Sequence, residues 1–270
     1  MSKKLDISKM KVAEIVALVN EVNKPPGGMM TLNHVITNAH INSETKFLEV
    51  GCTTGYSSIE IKRLTSADVY GIDVNKDAIE RARKKSRKEK LNIKFSVADA
   101  TALPFSNEFF DVVYASNVTS FIKDKSAAIE NYTRILKTYG FLVVAPIYYI
   151  KHPPNTVRKA VSEEIGTEIK EFDKKFWVEL FNHINLELIY SRDFNFKYNT
   201  KDEIIRYINT YIMTKTEVKY MPKNTKNELF NKYKYQFSLF NENLRYTGFS
   251  ILIYRKVPDK YEKELFPYIP

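Results

Sequence analysis

The residues with the most chemical content stand in three short stretches. Glu49 precedes the turn Gly51-Cys52-Thr53-Thr54-Gly55, Asp73 ends the apolar run Val69–Val74, and Asp99 follows the run Ile93–Ala98. Gly51 permits a tight turn, and Gly55 lets a helix start lie close to a ligand and to the strand before it. The G-x-x-x-G spacing is not the G-x-G-x-x-G of a dinucleotide loop, and no Lys-Ser/Thr follows to make an ATPase phosphate cradle. A carboxylate at Glu49 would repel a pyrophosphate but suits an ammonium group beside the turn. Asp73 lies 22 residues after Gly51, where a carboxylate meets both hydroxyls of a ribose. Asp99 can accept from an adenine amino group. Taken singly, Asp73 and Asp99 also read as helix caps and Glu49 as the partner of a lysine. In register they describe a ligand with an amine, a ribose and an adenine, but no phosphates.

The elements that must position these acids follow from hydrophobic patterning. Strands are expected at Phe47–Val50, Val69–Val74, Ile93–Ala98, Val112–Ser116, Phe141–Ala145, Leu186–Tyr190 and Phe249–Tyr254. Helical signals at Tyr56–Leu64, Lys76–Lys90 and Lys123–Lys137, the last closed by Gly140, separate the first five. Alternation of this kind implies parallel βαβ units in a doubly wound α/β sheet. Two helices, Ile7–Val22 and Met30–Ala39, are expected before it, joined by the breaker Lys24-Pro25-Pro26-Gly27-Gly28. The first should cap the sheet edge or lie across the ligand crevice. Helices at 156–170 and 173–184 and an aromatic-rich helical insertion at about 198–246 should precede the last strand. The expected organisation is one domain over 1–270: N-terminal helices at 1–44, a cofactor-binding core at 45–150 and a substrate side at 151–270.

Glu49-x-Gly51-x-x-x-Gly55, Asp73, Asp99 and Phe109-Phe110-Asp111-Val112-Val113 resemble, in order and spacing, the class I S-adenosylmethionine-dependent methyltransferases. The resemblance covers about Thr45 to Pro146. Thr101-Ala102-Leu103-Pro104-Phe105 makes it similar to the small-molecule, type 11-like branch. It implies a Rossmann-like, mostly parallel seven-stranded sheet with an antiparallel last strand. It also implies S-adenosyl-L-methionine as cofactor, contacted by Glu49, Gly51, Cys52, Thr53, Gly55, Asp73, Val74, Asp99, Ala100 and Asn117. Glu49 and the glycine loop would take the methionine part, Asp73 the ribose, Asp99 with the Ala100 amide the adenine, and Asn117 would line the pocket beside the sulfonium. One departure is Thr53, where the family's loop has its middle glycine; a threonine fits if its φ stays negative.

Methyl transfer from a sulfonium requires alignment and exclusion of water more than covalent help. Catalytic side chains are therefore hard to read, and Tyr148, Tyr149 and His152 after the fifth strand are the candidates. Ala115-Ser116-Asn117-Val118-Thr119 is not the Asn/Asp-Pro-Pro-aromatic loop that grips planar amino groups. The sole cysteine, Cys52, reads as a small packing residue, and no metal site is expected. His34 and His40 read as structural.

With 42 Lys+Arg against 32 Asp+Glu, the chain carries a net charge of +10. Eight Lys/Arg against three Asp/Glu fall in Lys76–Lys90. This run is a solvated helix face or, on an RNA- or protein-methyltransferase reading, a polymer footprint. A third reading is a non-catalytic binder of the same cofactor. The favoured acceptor is a small molecule enclosed by the insertion, with nucleic acid possible but not favoured. No stretch has the length and apolarity of a bilayer span or a signal peptide, so a cytoplasmic protein with no membrane partner is expected. Composition sets neither the acceptor nor the oligomeric state.

Overall fold

The computed structural model describes residues 6–182 and 185–258. After a 3₁₀ turn at Ile7–Lys9, the elements in chain order begin with α1 (Val12–Leu18), α2 (Met29–Asn38), β1 (Lys46–Val50), α3 (Tyr56–Thr65) and β2 (Asp68–Asp73). They continue through α4 (Lys76–Lys88), β3 (Ile93–Val97), β4 (Phe110–Tyr114), α5 (Lys125–Ile135), β5 (Leu136–Val144) and β6 (Ile147–Tyr149). Next come α6 (Asn155–Ile165), α7 (Lys174–Leu180), β7 (Leu186–Asn195), α8 (Lys201–Tyr207) and a π-helical turn at Ile208–Ile212. The last are α9 (Thr216–Lys219), α10 (Lys223–Leu244) and β8 (Thr247–Lys256).

The chain forms two compact units. One, called the sheet unit, comprises 23–147, 173–194 and 249 onward; the other, the helical unit, comprises the segment up to 22, 148–172 and 195–248. Strand order is β3-β2-β1-β4-β5-β8-β6, with β7 paired to β8. Neighbours from β3 to β5 are parallel, and β8 runs antiparallel to β5. Order reverses between β1 and β4, the switch point where open α/β sheets place ligands beyond the strands' carboxyl ends. Nearly every residue of β1 and of β8 up to Tyr254 is buried, as a sheet covered on both faces requires.

Helix α4 shows how sequence sets these elements. Asn75 caps it by accepting from Ala78 N–H at 3.1 Å, and Ile79, Ala82 and Ser86 form its buried face. Lys84, Arg87 and Lys88 stay exposed on the other side. The basic run is thus a solvated helix face locally.

Several local expectations need correction. Gly140 does not close a helix: α5 passes directly into β5, and Gly140 lies inside that strand. A Cβ there would sit 2.8 Å from Asp111 O and 2.9 Å from Lys137 O, beside the register shift between Phe110 and Val112. Close backbone approach at a bulge explains this glycine. The expected helix Ile7–Val22 is a 3₁₀ turn and the short α1. Lys11 is extended, its N–H donates to Glu14 Oε2 at 2.7 Å, and Asn20 at φ +51° ends the segment. Ile7, Ile15 and Val19 pack with Ile204, Ile208, Ile212, Val218, Leu229 and Tyr233 in the core of the helical unit. The Tyr148–Tyr149 stretch, expected in a loop, forms β6 and makes the sheet eight-stranded. Of the helix expected at 173–184, α7 occupies Lys174–Leu180, while 183–184 lie outside the described residues.

Candidate active site

The ten residues expected to hold the cofactor all belong to the sheet unit. Parallel pairing places Glu49 level with Gly71 of β2 and Tyr114 of β4. Asp73 ends β2 level with Val97 of β3. Turns after β1, β2 and β3 therefore emerge at the carboxyl edge beside the switch point.

Glu49 is buried, and its Oε2 accepts from Ser58 N–H at 2.8 Å and Ser58 Oγ at 2.5 Å. These donors come from the first turn of α3. Burial, opposed by the serine hydrogen bonds and reinforced by the Asp73 charge, pushes the carboxyl up to about 7. A carboxyl poised there ionises readily once a cation arrives.

Gly51 and Gly55 have φ +71° and +82°. A Cβ on Gly51 would stand 2.7 Å from Val118 Cβ, and one on Gly55 would stand 2.8 Å from Phe95 Cζ. Side chains are therefore excluded at both ends of the turn. Thr53 departs from expectation: its φ is +47°, in the left-handed region. Its N–H donates to Asp73 Oδ2 at 2.9 Å, so the turn keeps a glycine-like path through a β-branched residue. Cys52 donates its backbone N–H to Ile72 O at 2.9 Å, and its side chain is buried with Ile79, Ala82 and Phe95. Burial raises its thiol far above the ordinary range, as suits a packing residue.

Asp73 Oδ1 accepts from Asn75 N–H at 2.9 Å. Each carboxylate oxygen thus takes one backbone bond, leaving half of its roughly four acceptor positions. Val74 is 69% exposed and Val97 48%, two open apolar surfaces flanking this acid. Asp99 is exposed; its Oδ1 accepts from Thr101 N–H and Oγ, both at 2.8 Å, which lowers its pKa. Ala100 beside it is buried. Asn117 Oδ1 accepts from Ile147 N–H at 3.0 Å and Ser120 Oγ at 2.8 Å, fixing the segment after β4.

These residues fit S-adenosylmethionine chemically. Asp73 would hold the ribose diol, Asp99 with the Ala100 amide the adenine edge, Val74 and Val97 the adenine faces, and Glu49 the amino group. Sequence reading missed Ser58, Val118 and Lys24. Lys24 Nζ stands 5.6 Å from the centroid of Tyr56, the first residue of α3. The adjacent Ser57-Ser58 is the one signal that was available; Val118 and Lys24 carry none.

Tyr148, Tyr149 and His152 lie in the helical unit. Both tyrosines are buried, and Tyr149 donates its hydroxyl to Asn243 Oδ1 at 3.0 Å. Burial raises its phenol pKa. His152 has a 97% exposed side chain, with Nδ1 against Glu171. Elsewhere, a cavity of about 470 Å³ opens at the amino edge of the parallel strands, lined by Glu108, Arg134, Thr138, Lys256 and their neighbours. It is remote in topology from the turns that carry the acids, and its polar side chains largely bond one another.

Comparison with known proteins agrees with this geometry. A family model described as "Methyltransferase domain" matches residues 41–221. An uncharacterised protein of Haemophilus influenzae is 25% identical over 170 residues, 62% of this chain and 68% of that protein. Phosphoethanolamine N-methyltransferase 1 of Triticum aestivum is 26% identical over 145 residues, 54% of this chain but 28% of the relative. The methyltransferase GfsG of Streptomyces halstedii is 31% identical over 40% of this chain and 39% of its own length. Among solved structures, the MccD protein superposes with a TM-score of 0.75 at 26% identity, over 87% of this chain and all of that one. Phosphoethanolamine N-methyltransferase 2 of Haemonchus contortus shares the fold at 16% identity, with a TM-score of 0.69 over 91% of this chain and 57% of that one. With its matched core, its switch-point acids and this fold, the chain belongs to the methyltransferase-domain family of class I S-adenosylmethionine-dependent enzymes.

Proposed function

We propose that this protein transfers the methyl group of S-adenosylmethionine to a small-molecule acceptor by in-line displacement. The observation that carries the reading is the row of carboxylates Glu49, Asp73 and Asp99, at the carboxyl ends of three adjacent parallel strands beside the switch point. When bound, the cofactor supplies a methyl group already activated on a sulfonium. The protein's part is then to bind and orient. Ser58 holds Glu49, and Thr53 with Asn75 holds Asp73, so neither acid must reorganise on binding. A dry, aligned site contributes most of what such a displacement requires.

The small-molecule reading draws on relatives whose names state such acceptors, phosphoethanolamine in Triticum aestivum among them. On the acceptor side Tyr148, Tyr149 and His152 stay the candidates for contact or proton removal. With its hydroxyl proton engaged by Asn243, Tyr149 is suited to positioning, whereas exposed His152 is suited to taking a proton. The whole chain, 1–270, acts as one methyltransferase on this reading.

Incubation of the purified protein with methyl-labelled cofactor and fractionated cell extract tests the proposal. Label is expected in the small-molecule fraction. Label in RNA would instead favour a polymer substrate approached along the exposed basic face of α4, with the steep salt dependence of phosphate contacts. Cofactor binding without label in any fraction would favour a non-catalytic binder.

A further inference from the structure

The helical unit contains a half-buried carboxylate with no cation within ion-pair distance among the described residues. Glu21 follows α1, and its Oε2 accepts the hydroxyl of Tyr233 of α10 at 2.6 Å. Lys215 acts on it electrostatically, but the Lys215 ammonium donates to Asn20 O at 3.2 Å. Burial raises the Glu21 pKa. An anion in this position is costly unless something compensates it.

A chain of aromatic rings runs on from the tyrosine that holds the carboxylate. Buried Tyr233 packs on Phe237 with centroids 5.1 Å apart, Phe237 meets Tyr207 at 5.7 Å and 72°, and Tyr207 meets Tyr211 at 4.9 Å. The Glu21 charge reaches Tyr207 as well as Tyr233. Tyr207 immediately precedes the π-helical turn Ile208–Ile212, and Tyr211 lies within it. Ile208 and Ile212 anchor that turn in the core, yet the two tyrosines are 45% and 60% exposed. A π turn gives up regular helical bonding and is found most often where a site has to be shaped. Two large rings thus stand open to solvent in the neighbourhood of a carboxylate whose direct partner is a neutral hydroxyl and whose nearest cation is not in ion-pair contact.

The chemistry selects the ligand. Ring faces and a carboxylate repel anions and attract cations. One carboxylate without further oxygen ligands is a poor metal site. A methylated ammonium matches both parts, because its charge is spread over carbon-bound surface that can lie on the rings. We propose that Glu21, Tyr207, Tyr211 and Phe237 form a binding site for an organic ammonium group. The site lies wholly within the helical unit, and the proposal is independent of the methyl-transfer reading.

Calorimetric titration of the full chain, without cofactor, tests it with choline as probe and 3,3-dimethylbutanol as its uncharged isostere. Choline is expected to bind saturably and the alcohol at least about tenfold more weakly, since only the cation gains from rings and carboxylate. Glu21→Gln keeps an acceptor for the Tyr233 hydroxyl, and Tyr211→Ala removes an exposed ring. Each variant is expected to weaken choline by about tenfold. No saturable choline binding, equal binding of the alcohol, or undiminished binding in Tyr211→Ala would overturn the proposal, even if Glu21→Gln failed to fold.

Discussion

Thr53 donates its backbone N–H to Asp73 Oδ2 at 2.9 Å, tying the turn after β1 to the end of β2. To reach that bond the threonine adopts φ +47°. The left-handed region costs an L-residue about 1–2 kcal/mol, somewhat more than the extra chain entropy of a glycine. Thr53→Gly should therefore stabilise the protein by about 0.5–1 kcal/mol. Urea denaturation should show a raised midpoint with an unchanged slope; a lowered midpoint would mean that the threonine side chain makes a compensating contact.

Gly51 has no such latitude. Its φ of +71° and the Val118 side chain at the Cβ position act together. Gly51→Ala should cost about 3 kcal/mol, from a left-handed alanine plus overpacking. Measured stability within about 0.5 kcal/mol of wild type, the range of a neutral surface change, would show that the turn relaxes freely.

Glu49 sets a pH dependence whose sign is fixed by its environment. Its carboxyl is raised from 4.5 to about 7, so the folded protein holds a proton that the unfolded chain releases. The stability contributed by this group is full below pH 4.5 and is lost as pH rises through 7. The amount is about 3 kcal/mol. Cofactor binding runs the other way, because an ammonium partner favours the ionised form. Affinity should rise about tenfold between roughly pH 5.5 and 7, with close to one proton released on binding. Calorimetry in two buffers of different ionisation enthalpy measures that proton. Glu49→Gln should abolish both pH dependences; a proton release unchanged by the substitution would assign it to another group.

In the helical unit, Lys232 of α10 bonds Glu164 of α6 at 2.9 Å, with side chains only 10% and 12% exposed. Gln236 donates to the same carboxylate at 2.7 Å. Lys232→Met should cost about 3 kcal/mol by leaving a buried charge unpaired. The double variant Lys232→Met/Glu164→Gln, which keeps an acceptor for Gln236, should be more stable than the single one. Equal stability of the two in chemical denaturation would show that the glutamate is solvated.

Legibility in the sequence followed the kind of force at work. Glycines at 51 and 55 and acids at 49, 73 and 99 were readable because strand-end positions are set by hydrophobic runs of regular length. The helical signal at Lys76–Lys90 marked the start of α4 at Lys76, and the structure shows what fixes it, the Asn75 cap and the buried Ile79, Ala82 and Ser86. By contrast, Gly140 looked like a helix stop, and only pairing with Asp111 across a bulge reveals its role. Nothing local announces that Thr53 takes a left-handed φ; a bond from a distant carboxylate imposes it. Ser58 escaped notice because its partner lies nine residues back, on a different element. Tertiary contacts override local propensity in each case.

On the proposed function, Asp73 at the end of β2 holds the ribose of S-adenosylmethionine. Calorimetric titration of wild type and Asp73→Ala with the demethylated product, S-adenosylhomocysteine, tests it without requiring an acceptor. Wild type should bind with one site per chain, and the variant should bind about tenfold to a hundredfold more weakly, the worth of charge-assisted bonds to a diol. Unchanged affinity in a variant that still unfolds cooperatively would contradict the cofactor assignment.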